Sequence, residues 1–316
     1  MNIVVIGAGG IGAFYGMILH KAKCDVKFVA RGETLNYLKN NSMKVTHLDY
    51  MMEDKIDTYC IDELIANFEP SQIDAIIIAT KAMSTEPISQ KLGAWTKGSN
   101  NIPYYISLQN GVENEDVMEK YYNKNYVIGG LTRLIVSHTV SLGHVHCDGE
   151  VQTLIGALNP NIENKTFLNR FERILNKTNT KTFICEDIRL ELWNKLIINN
   201  GVNAICALVQ EESGPLISNK KTAKLVFGLM CEAAIASNAV GINLSQDDAK
   251  KMFDLMKNFQ SVKPSMWVDT QNNRDLELDD ICGVVIKNCE KQGVDAPYTR
   301  SISTLLEFTY DKKRLK

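Results

Sequence analysis

The chain has 316 residues, of which 45% are hydrophobic and 23% charged, and its formal net charge is −2. This composition is typical of a globular protein with room for two domains, and the near-neutral charge gives no reason to expect nucleic acid or membrane partners. No apolar run approaches the roughly 18 residues needed to span a bilayer, no signal peptide precedes the first apolar segment, and the eight cysteines lack C-x-x-C spacing. We therefore expect a cytoplasmic protein with reduced cysteines.

The first apolar segment runs into a glycine-rich turn. Residues 2–6 are almost continuously apolar, as in a buried parallel strand, and Gly7-Ala8-Gly9-Gly10-Ile11-Gly12 then fits G-x-G-x-x-G. A helical pattern and a second strand at residues 26–30 follow, which is the context of a Rossmann-type dinucleotide site. There Gly7 would make the tight turn, Gly9 admit a pyrophosphate and Gly12 let the helix pack on the strand. A glycine-rich turn in another α/β protein is the weaker alternative.

The residue after the second strand indicates which dinucleotide binds. An NAD or FAD site usually has an acidic residue there to hold the ribose, but this chain has Arg31. The planar, permanently charged guanidinium suits a 2′-phosphate, so we favour NADP. The alternative is a solvated arginine, with Glu33 serving the ribose of NAD.

Two later apolar strands also end in polar residues. Residues 73–80 lead to Lys81, and residues 103–108 lead to Gln109-Asn110-Gly111. Because ligands bind at the carboxyl ends of parallel strands, Lys81 could contact the cofactor and Asn110 could hold a cofactor or substrate oxygen. A surface lysine at a helix start and a simple Asn-Gly turn are the alternatives.

The rest of the first half is predicted to extend the sheet. Residues 43–59 are typical of two short strands, and residues 132–140, 143–145 and 151–155 of an antiparallel extension. His144 and His146 share a strand face but lack a complete ligand set, so we expect an edge strand and no metal. From residue 187 the periodicity is helical throughout. The sequence predicts a doubly wound domain at residues 1–186 and an all-α domain at residues 187–316.

A helix predicted over residues 188–208 is apolar around most of its circumference, which is typical of a core helix. Lys195, Asn199 and Asn203 form one polar stripe on it, at i, i+4 and i+8. Asparagine and glycine are poor choices inside a helix, and several asparagines crowd around Gly201. We therefore favour a functional stripe over a merely solvated face, with Lys195 as a proton donor whose pKa is lowered by burial.

The remaining segments are also predicted to be helical. Helices are expected over residues 219–240 and 245–259, the latter ending at Phe259, and further helices follow to residue 308. Glu277 lies among four acids within six residues. From spacing alone this indicates an ordinary helix N-terminus favoured by the helix dipole.

Together these residues resemble the ketopantoate reductase family over nearly the full chain. The most specific match is Glu191-Leu192-Trp193-Asn194-Lys195-Leu196, with asparagines four and eight residues after the lysine. The other matching motifs are Gly7 to Gly12, Thr80-Lys81-Ala82, Gln109-Asn110-Gly111, Lys263-Pro264-Ser265-Met266 and Glu277 followed by Asp279.

The resemblance implies a Rossmann domain, a helical domain and a site in the cleft between them. It implies that Lys195 is the catalytic proton donor and that Asn199 and Asn203 bind substrate. It also implies that Asn110 bridges cofactor and substrate, that Ser265 holds the substrate carboxylate and that Glu277 lies near substrate and nicotinamide. Arg31 and Lys81 resemble the pair that favours NADPH.

The implied reaction is NADPH-dependent reduction of 2-dehydropantoate to pantoate, a step toward pantothenate and coenzyme A. The chain departs from the family pattern at Leu276, Leu278 and Cys282, around Ser213, and at Trp267, which could narrow the pocket. A reductase of another small 2-oxo acid therefore stays open, as does a non-catalytic NADP-binding regulator. The apolar helical half is compatible with a homodimer.

Overall fold

The computed structural model describes residues 1–48, 50–178, 180–258 and 261–314. The chain forms two compact units, Met1–Ile188 and Arg189–Lys316. In the described ranges, every β-strand lies in the first unit and the second unit is helical. The sequence prediction of a Rossmann-type sheet followed by an all-α unit is thus confirmed. The roles assigned to the two units stay predictions.

The first unit alternates strands and helices. Its strands are β1 Asn2–Ile6, β2 Asp25–Val29, β3 Met43–His47, β4 Tyr50–Asp54, β5 Thr58–Tyr59, β6 Ala75–Ile78, β7 Tyr104–Ser107, β8 Val127–Arg133, β9 Val136–Ser141, β10 His144–Asp148, β11 Val151–Ala157 and β12 Thr180–Ile184. Its helices are α1 Gly10–Lys21, α2 Gly32–Leu38, α3 Ile61–Asn67, α4 Thr85–Thr96, α5 Asn114–Glu119 and α6 Ile162–Leu175.

The main sheet has the strand order β12-β11-β8-β7-β6-β1-β2-β5. All neighbouring strands run parallel except β8 and β11, which are antiparallel. Strand β1 lies between β2 and β6, so the chain reverses its winding direction there. Ligands of doubly wound sheets bind at such a switch point, beyond the carboxyl ends of the strands.

A second sheet of four strands, with the order β4-β3-β10-β9, corrects part of the sequence prediction. Strands β8 and β11 do extend the main sheet, but β9 and β10 leave it and join β3 and β4. Strand β10 is interior rather than an edge strand, since β3 pairs with it on one side and β9 on the other. Residues 43–59 form three strands rather than two, and the third, β5, joins the main sheet.

The second sheet covers α1. Val145 and Cys147 are buried on the face of β10 that packs against α1, whereas His144 and His146 on the opposite face stay partly exposed. The hydroxyl of Thr46 on β3 lies within hydrogen-bonding distance of both imidazoles, 3.2 Å from His144 Nε2 and 2.8 Å from His146 Nδ1. These histidines therefore have polar partners within the sheet.

The second unit consists of helices. They are α7 Ile188–Val209, α8 Ser213–Ser218, α9 Lys220–Ser237, α10 Gln246–Lys257, α11 Ser265–Gln271, α12 Val284–Lys291 and α13 Pro297–Arg314, with a π-helical turn at Asp279–Gly283. Phe259, the predicted end of the helix over residues 245–259, lies outside the described residues.

Helix α9 is the centre of the second unit. It packs against α8, α10, α12 and α13, and with the turn after it, it is long and apolar enough by composition alone to cross a membrane. Its apolar residues, among them Leu229, Met230 and Ala233, are buried by the neighbouring helices, as expected for a core helix. One buried carboxylate on it, Glu232, accepts hydrogen bonds from the Tyr298 and Thr299 amides at the start of α13, at 2.9 and 2.7 Å.

Candidate active site

The glycine-rich turn joins β1 to α1 at the switch point of the main sheet. Gly7 has φ +103°, a conformation that L side chains rarely adopt. A Cβ on Gly12 would lie 1.7 Å from the Gly7 carbonyl oxygen, so only glycine allows this contact between turn and helix. A Cβ on Gly9 would meet nothing within 4 Å. The protein leaves open space beside Gly9.

The other residues of the turn have packing partners. Ala8 and Ile11 are partly buried against the hydrophobic core of the first unit. A Cβ on Gly10 would lie 2.4 Å from the hydroxyl of Ser137 on β9. The second sheet therefore reaches the first turn of α1.

Three further predicted residues follow the carboxyl ends of β2, β6 and β7, which lie on the two sides of β1 in the main sheet. Arg31 follows β2 and immediately precedes α2, Lys81 follows β6, and Asn110 follows β7. Arg31 is exposed, whereas Lys81 and Asn110 are partly buried. The structure thus brings the glycine turn, Arg31, Lys81 and Asn110 to one edge of the main sheet.

This edge fits an anionic dinucleotide. The first turn of α1 contains no acidic residue, so its amide groups and the positive end of the helix dipole face no competing carboxylate there. Arg31 and Lys81 add two cations, and the turn leaves open space beside Gly9. Glu33, also exposed, lies in the first turn of α2 and is the alternative ribose partner.

In the second unit, Lys195 lies on α7 among buried apolar residues. The side chains of Trp193 and Leu196 are buried, whereas Lys195 keeps partial exposure. Burial of the amine lowers its pKa from 10.5 to about 8, and the charge of Glu277 opposes part of this effect. An amine with such a pKa remains mostly protonated at neutral pH and releases its proton readily.

Asn199 and Asn203 follow Lys195 on the same helix at successive turns. Asn199 is partly buried and Asn203 is buried. Within the second unit, no described hydrogen bond occupies either side-chain amide. Two amides and one amine therefore line a stripe whose hydrogen-bonding capacity is open to a ligand.

Glu277 precedes the π-helical turn Asp279–Gly283. It is buried, at 7% exposure, whereas the neighbouring Asp275 and Asp279 are exposed. Glu277 therefore stands at a helix start, as its spacing alone indicates, but its side chain is buried there. The π turn carries Cys282, whose pKa burial raises to about 12. A π turn frequently marks a functional site, and this one was not visible in the sequence.

Ser265 is the first residue of α11 and is exposed. The segment before it pairs with Ser213, whose amide donates to the Val262 carbonyl at 3.0 Å and whose hydroxyl accepts from the Val262 amide at 3.1 Å. Ser213 therefore has a role in fixing this segment. Local sequence patterns do not indicate that pairing, because the two partners lie far apart along the chain.

Trp267 anchors α11 to the end of α7. Its indole N–H donates to Gln210 Oε1 at 2.8 Å, and the ammonium of Lys263 lies 4.6 Å from its ring centroid. Gln210 itself adopts φ +56° just beyond α7. Since Trp267 and Ser265 are two residues apart on a helix, about 200° around its axis, their side chains point in nearly opposite directions.

Asn200 and Gly201 are explained by packing. The buried Asn200 amide donates to the Leu229 carbonyl at 2.8 Å and to the Thr299 hydroxyl at 2.9 Å, which ties α7 to α9 and α13. A Cβ on Gly201 would lie 2.7 Å from the Met230 side chain. Asn200 therefore has a packing role and does not belong to the polar stripe of Lys195, Asn199 and Asn203.

Metal binding finds no support in the described ranges, where no group of three or more His, Cys, Asp or Glu side chains is arranged to hold an ion. A glycine-rich turn after β1 in one unit and a partly buried amine of lowered pKa in the other are features expected of a pyridine-nucleotide oxidoreductase.

Comparison with known proteins identifies the family. Residues 3–160 match the model described as "Ketopantoate reductase PanE/ApbA", and residues 187–309 match "Ketopantoate reductase PanE/ApbA C terminal". The chain belongs to the ketopantoate reductase family, and its predicted resemblance to that family is confirmed. It is therefore an oxidoreductase, as the sequence predicted.

Curated relatives and solved structures agree with this assignment. The chain is 25% identical over 305 residues to 2-dehydropantoate 2-reductase of Archaeoglobus fulgidus, covering 96% of each chain. It is 26% identical over 309 residues to that of Streptococcus pyogenes serotype M6, covering 97% of each.

Similar folds include D-mandelate dehydrogenase with NADH and anilino(oxo)acetate, with a TM-score of 0.87, 22% identity and 99% coverage of both chains. They also include 2-dehydropantoate 2-reductase from Geobacter metallireducens GS-15, with a TM-score of 0.81, 22% identity, and coverage of 98% of this chain and 100% of the other.

Proposed function

We propose that this enzyme reduces 2-dehydropantoate to pantoate with NADPH. The family assignment and the names of the curated relatives support the reaction. The single observation that carries the mechanism is the amine of Lys195, on a polar stripe of α7, with a pKa of about 8. A purely structural helix would have no use for a partly buried lysine of this kind.

The proposed reaction transfers two electrons and two hydrogens to one carbonyl. When bound, NADPH supplies the hydride, which forms a new C–H bond at C2 of the substrate. Lys195 donates its proton to the carbonyl oxygen, which becomes the hydroxyl of pantoate. Because the substrate carbonyl must be held during transfer, Asn199 and Asn203 are assigned to substrate binding. Glu277 favours the charged form of Lys195 and so keeps the proton on the amine.

The remaining site residues are assigned to binding. Ser265 holds the substrate carboxylate through its hydroxyl, and Asn110 contacts both cofactor and substrate. The turn Gly7 to Gly12, including Ala8, Gly9, Gly10 and Ile11, binds the pyrophosphate. The reaction requires that Lys195 and the nicotinamide reach the same carbonyl.

Arg31 and Lys81 support NADPH as the cofactor. An arginine at the end of β2 offers a bidentate partner for a 2′-phosphate. We expect Arg31→Ala to raise the KM for NADPH by at least about tenfold and to leave the KM for NADH nearly unchanged, because NADH has no 2′-phosphate. Preference of the wild-type enzyme for NADH would contradict this assignment.

The substrate is tested by oxidation of NADPH in the presence of 2-dehydropantoate and of other small 2-oxo acids. We expect Lys195→Met to lower kcat by a factor of about 10² or more, and the exposed-lysine control Lys221→Met to leave it unchanged. Turnover unaffected by Lys195→Met would exclude the mechanism. NADPH binding without turnover of any 2-oxo acid would favour the alternative function, that of a non-catalytic NADP-binding regulator.

Faster turnover of another 2-oxo acid would assign the enzyme to a related substrate. The departures from the family pattern at Leu276 and Leu278 motivate this comparison. We also propose a cytoplasmic location, which the metabolic roles named for the relatives support. A homodimer stays a prediction, for which light scattering of the purified protein is the direct measurement.

A further inference from the structure

Three polar side chains form a buried network at the carboxyl edge of the main sheet. Gln109 is 3% exposed, Thr85 is 2% exposed and Asn114 is 5% exposed. Thr85 is the first residue of α4 and Asn114 the first of α5, while Gln109 lies between β7 and Asn110. Each residue thus lies where one of two neighbouring loops meets a helix or a strand.

The hydrogen bonds link the loop after β6 with the loop after β7, with donors on both sides. The Gln109 amide donates to the Thr80 carbonyl at 3.0 Å and to the Thr85 hydroxyl at 2.9 Å. The Thr85 hydroxyl donates to Asn114 Oδ1 at 2.8 Å. The Asn114 amide then donates to the Asn110 carbonyl at 2.7 Å.

Both ends of this chain of hydrogen bonds reach predicted site residues. At one end, Gln109 also lies 3.3 Å from the Lys81 carbonyl. At the other end, Asn114 holds the backbone of Asn110, which is followed by Gly111 with φ +96°. The network therefore fixes the backbone from which Lys81 and Asn110 project.

We propose that Gln109, Thr85 and Asn114 are positioning residues that hold Lys81 and Asn110 in register for the dinucleotide. This inference rests on the proposed function, in which Lys81 and Asn110 contact the cofactor. A buried polar network stabilises a fold only when each of its members is hydrogen-bonded, and apolar side chains could fill the same space instead. Its location between two ligand-facing loops gives the network a use beyond stability, since small displacements of binding groups weaken binding and catalysis strongly.

The test compares two threonines on the same helix. Thr85→Val removes the central hydroxyl and keeps the side-chain shape. Thr96→Val removes a buried hydroxyl near the other end of α4, where it donates to the Leu92 carbonyl at 3.0 Å and lies 3.4 Å from the Tyr105 hydroxyl. Both variants lose a buried hydroxyl, but only Thr85 is linked to Lys81 and Asn110.

The measurements are the Kd of NADPH by fluorescence titration, the melting temperature, and KM and kcat with 2-dehydropantoate. We expect Thr85→Val to weaken NADPH binding about tenfold and Thr96→Val to change it by less than about twofold, with similar losses in melting temperature. Thr85→Ser, which restores the hydroxyl, should bind NADPH like the wild type. In a Lys81→Ala background the effect of Thr85→Val should shrink, because Thr85 acts partly through Lys81.

Equal effects of the two valine variants on NADPH affinity, or failure of Thr85→Ser to restore it, would overturn the proposal. If Thr85→Val does not fold, Asn114→Asp provides the same test. It keeps the acceptor for Thr85 but cannot donate to the Asn110 carbonyl, and wild-type affinity in this variant would also overturn the proposal. Affinity is measured without turnover, so a wild-type enzyme that binds NADPH but does not reduce 2-dehydropantoate would refute the substrate and not the network.

Discussion

Replacing Lys195 by methionine should make the protein more stable while it removes the proposed activity. Lys195 is partly buried, and burial lowers its pKa from 10.5 to about 8. A group whose charged form is disfavoured in the folded state destabilises that state as long as it stays charged. Methionine has a similar length and no charge, so the penalty disappears at neutral pH.

The magnitude follows from the shift in pKa. A change from 10.5 to about 8 corresponds to about 3 kcal/mol of free energy of unfolding, already net of the attraction by Glu277. We treat this as an upper limit, because Lys195 keeps some exposure and the denatured chain is not fully extended. The expected gain from Lys195→Met at pH 7 is therefore about 1–3 kcal/mol.

The difference in stability between the wild type and Lys195→Met should also depend on pH. Below pH 8 both the folded and the unfolded lysine are charged, and the full penalty is present. Between about pH 8 and 10.5 the folded protein releases the proton that the unfolded chain still binds, so wild-type stability rises relative to Lys195→Met. The advantage of the variant should shrink across this window and vanish above it.

Urea unfolding measures this difference, followed by the fluorescence of Trp193 and Trp267, which both lie in the second unit. Lys195→Arg is the matched control, because its charge persists to high pH and it should gain no stability at any pH tested. The reasoning is refuted if Lys195→Met is less stable than the wild type at pH 7, or if its advantage is the same at pH 7 and pH 10.

Three further predictions concern activity and packing. Since the ammonium of Lys195 is the proposed proton donor, kcat should fall as the pH rises through about 8, and a pH–rate profile that is flat to pH 10 would contradict that role. Gly12→Ala should destabilise the fold by about 3 kcal/mol or more, because its Cβ would meet the Gly7 carbonyl oxygen at 1.7 Å. Gly9→Ala should instead change stability by less than about 0.5 kcal/mol and weaken NADPH binding. Melting curves measure the first effect, and titrations with NADPH measure the second. Glu232→Gln should lower stability by about 1–2 kcal/mol and leave kcat unchanged, because it removes the charge that accepts two amides at the start of α13; equal urea midpoints for variant and wild type would exclude that role.

Local patterns were sufficient to predict the start of the first unit and the long helix of the second. Residues 2–6 are β1, the glycine turn leads into α1, and the helix predicted over residues 188–208 is α7, Ile188–Val209. In both cases the signal lies within a single window of sequence: an apolar strand followed by glycines, or an apolar pattern at helical spacing. Such signals need no knowledge of distant partners.

The second sheet could not be predicted in this way. Strand β3 pairs in parallel with β10, about a hundred residues later, with Val45 opposite Val145. Alternating residues in β9 and β10 predict strands but do not indicate which sheet the strands join. The second sheet forms where it covers one side of α1, against which Val145 and Cys147 of β10 are buried. That packing appears only once the fold is assembled.

The crowded polar residues of α7 show why a costly local sequence is an incomplete guide to function. Asparagine and glycine weaken a helix by about 1 kcal/mol or less each, so their presence requires compensation elsewhere. For Asn200 and Gly201 the compensation is packing, through hydrogen bonds to α9 and α13 and through close approach to Met230. Neither explanation extends to Asn199 and Asn203, which share a face with Lys195. Lys195, Asn199 and Asn203 lie at i, i+4 and i+8. This regular spacing on one face is what a ligand lying along the helix would require.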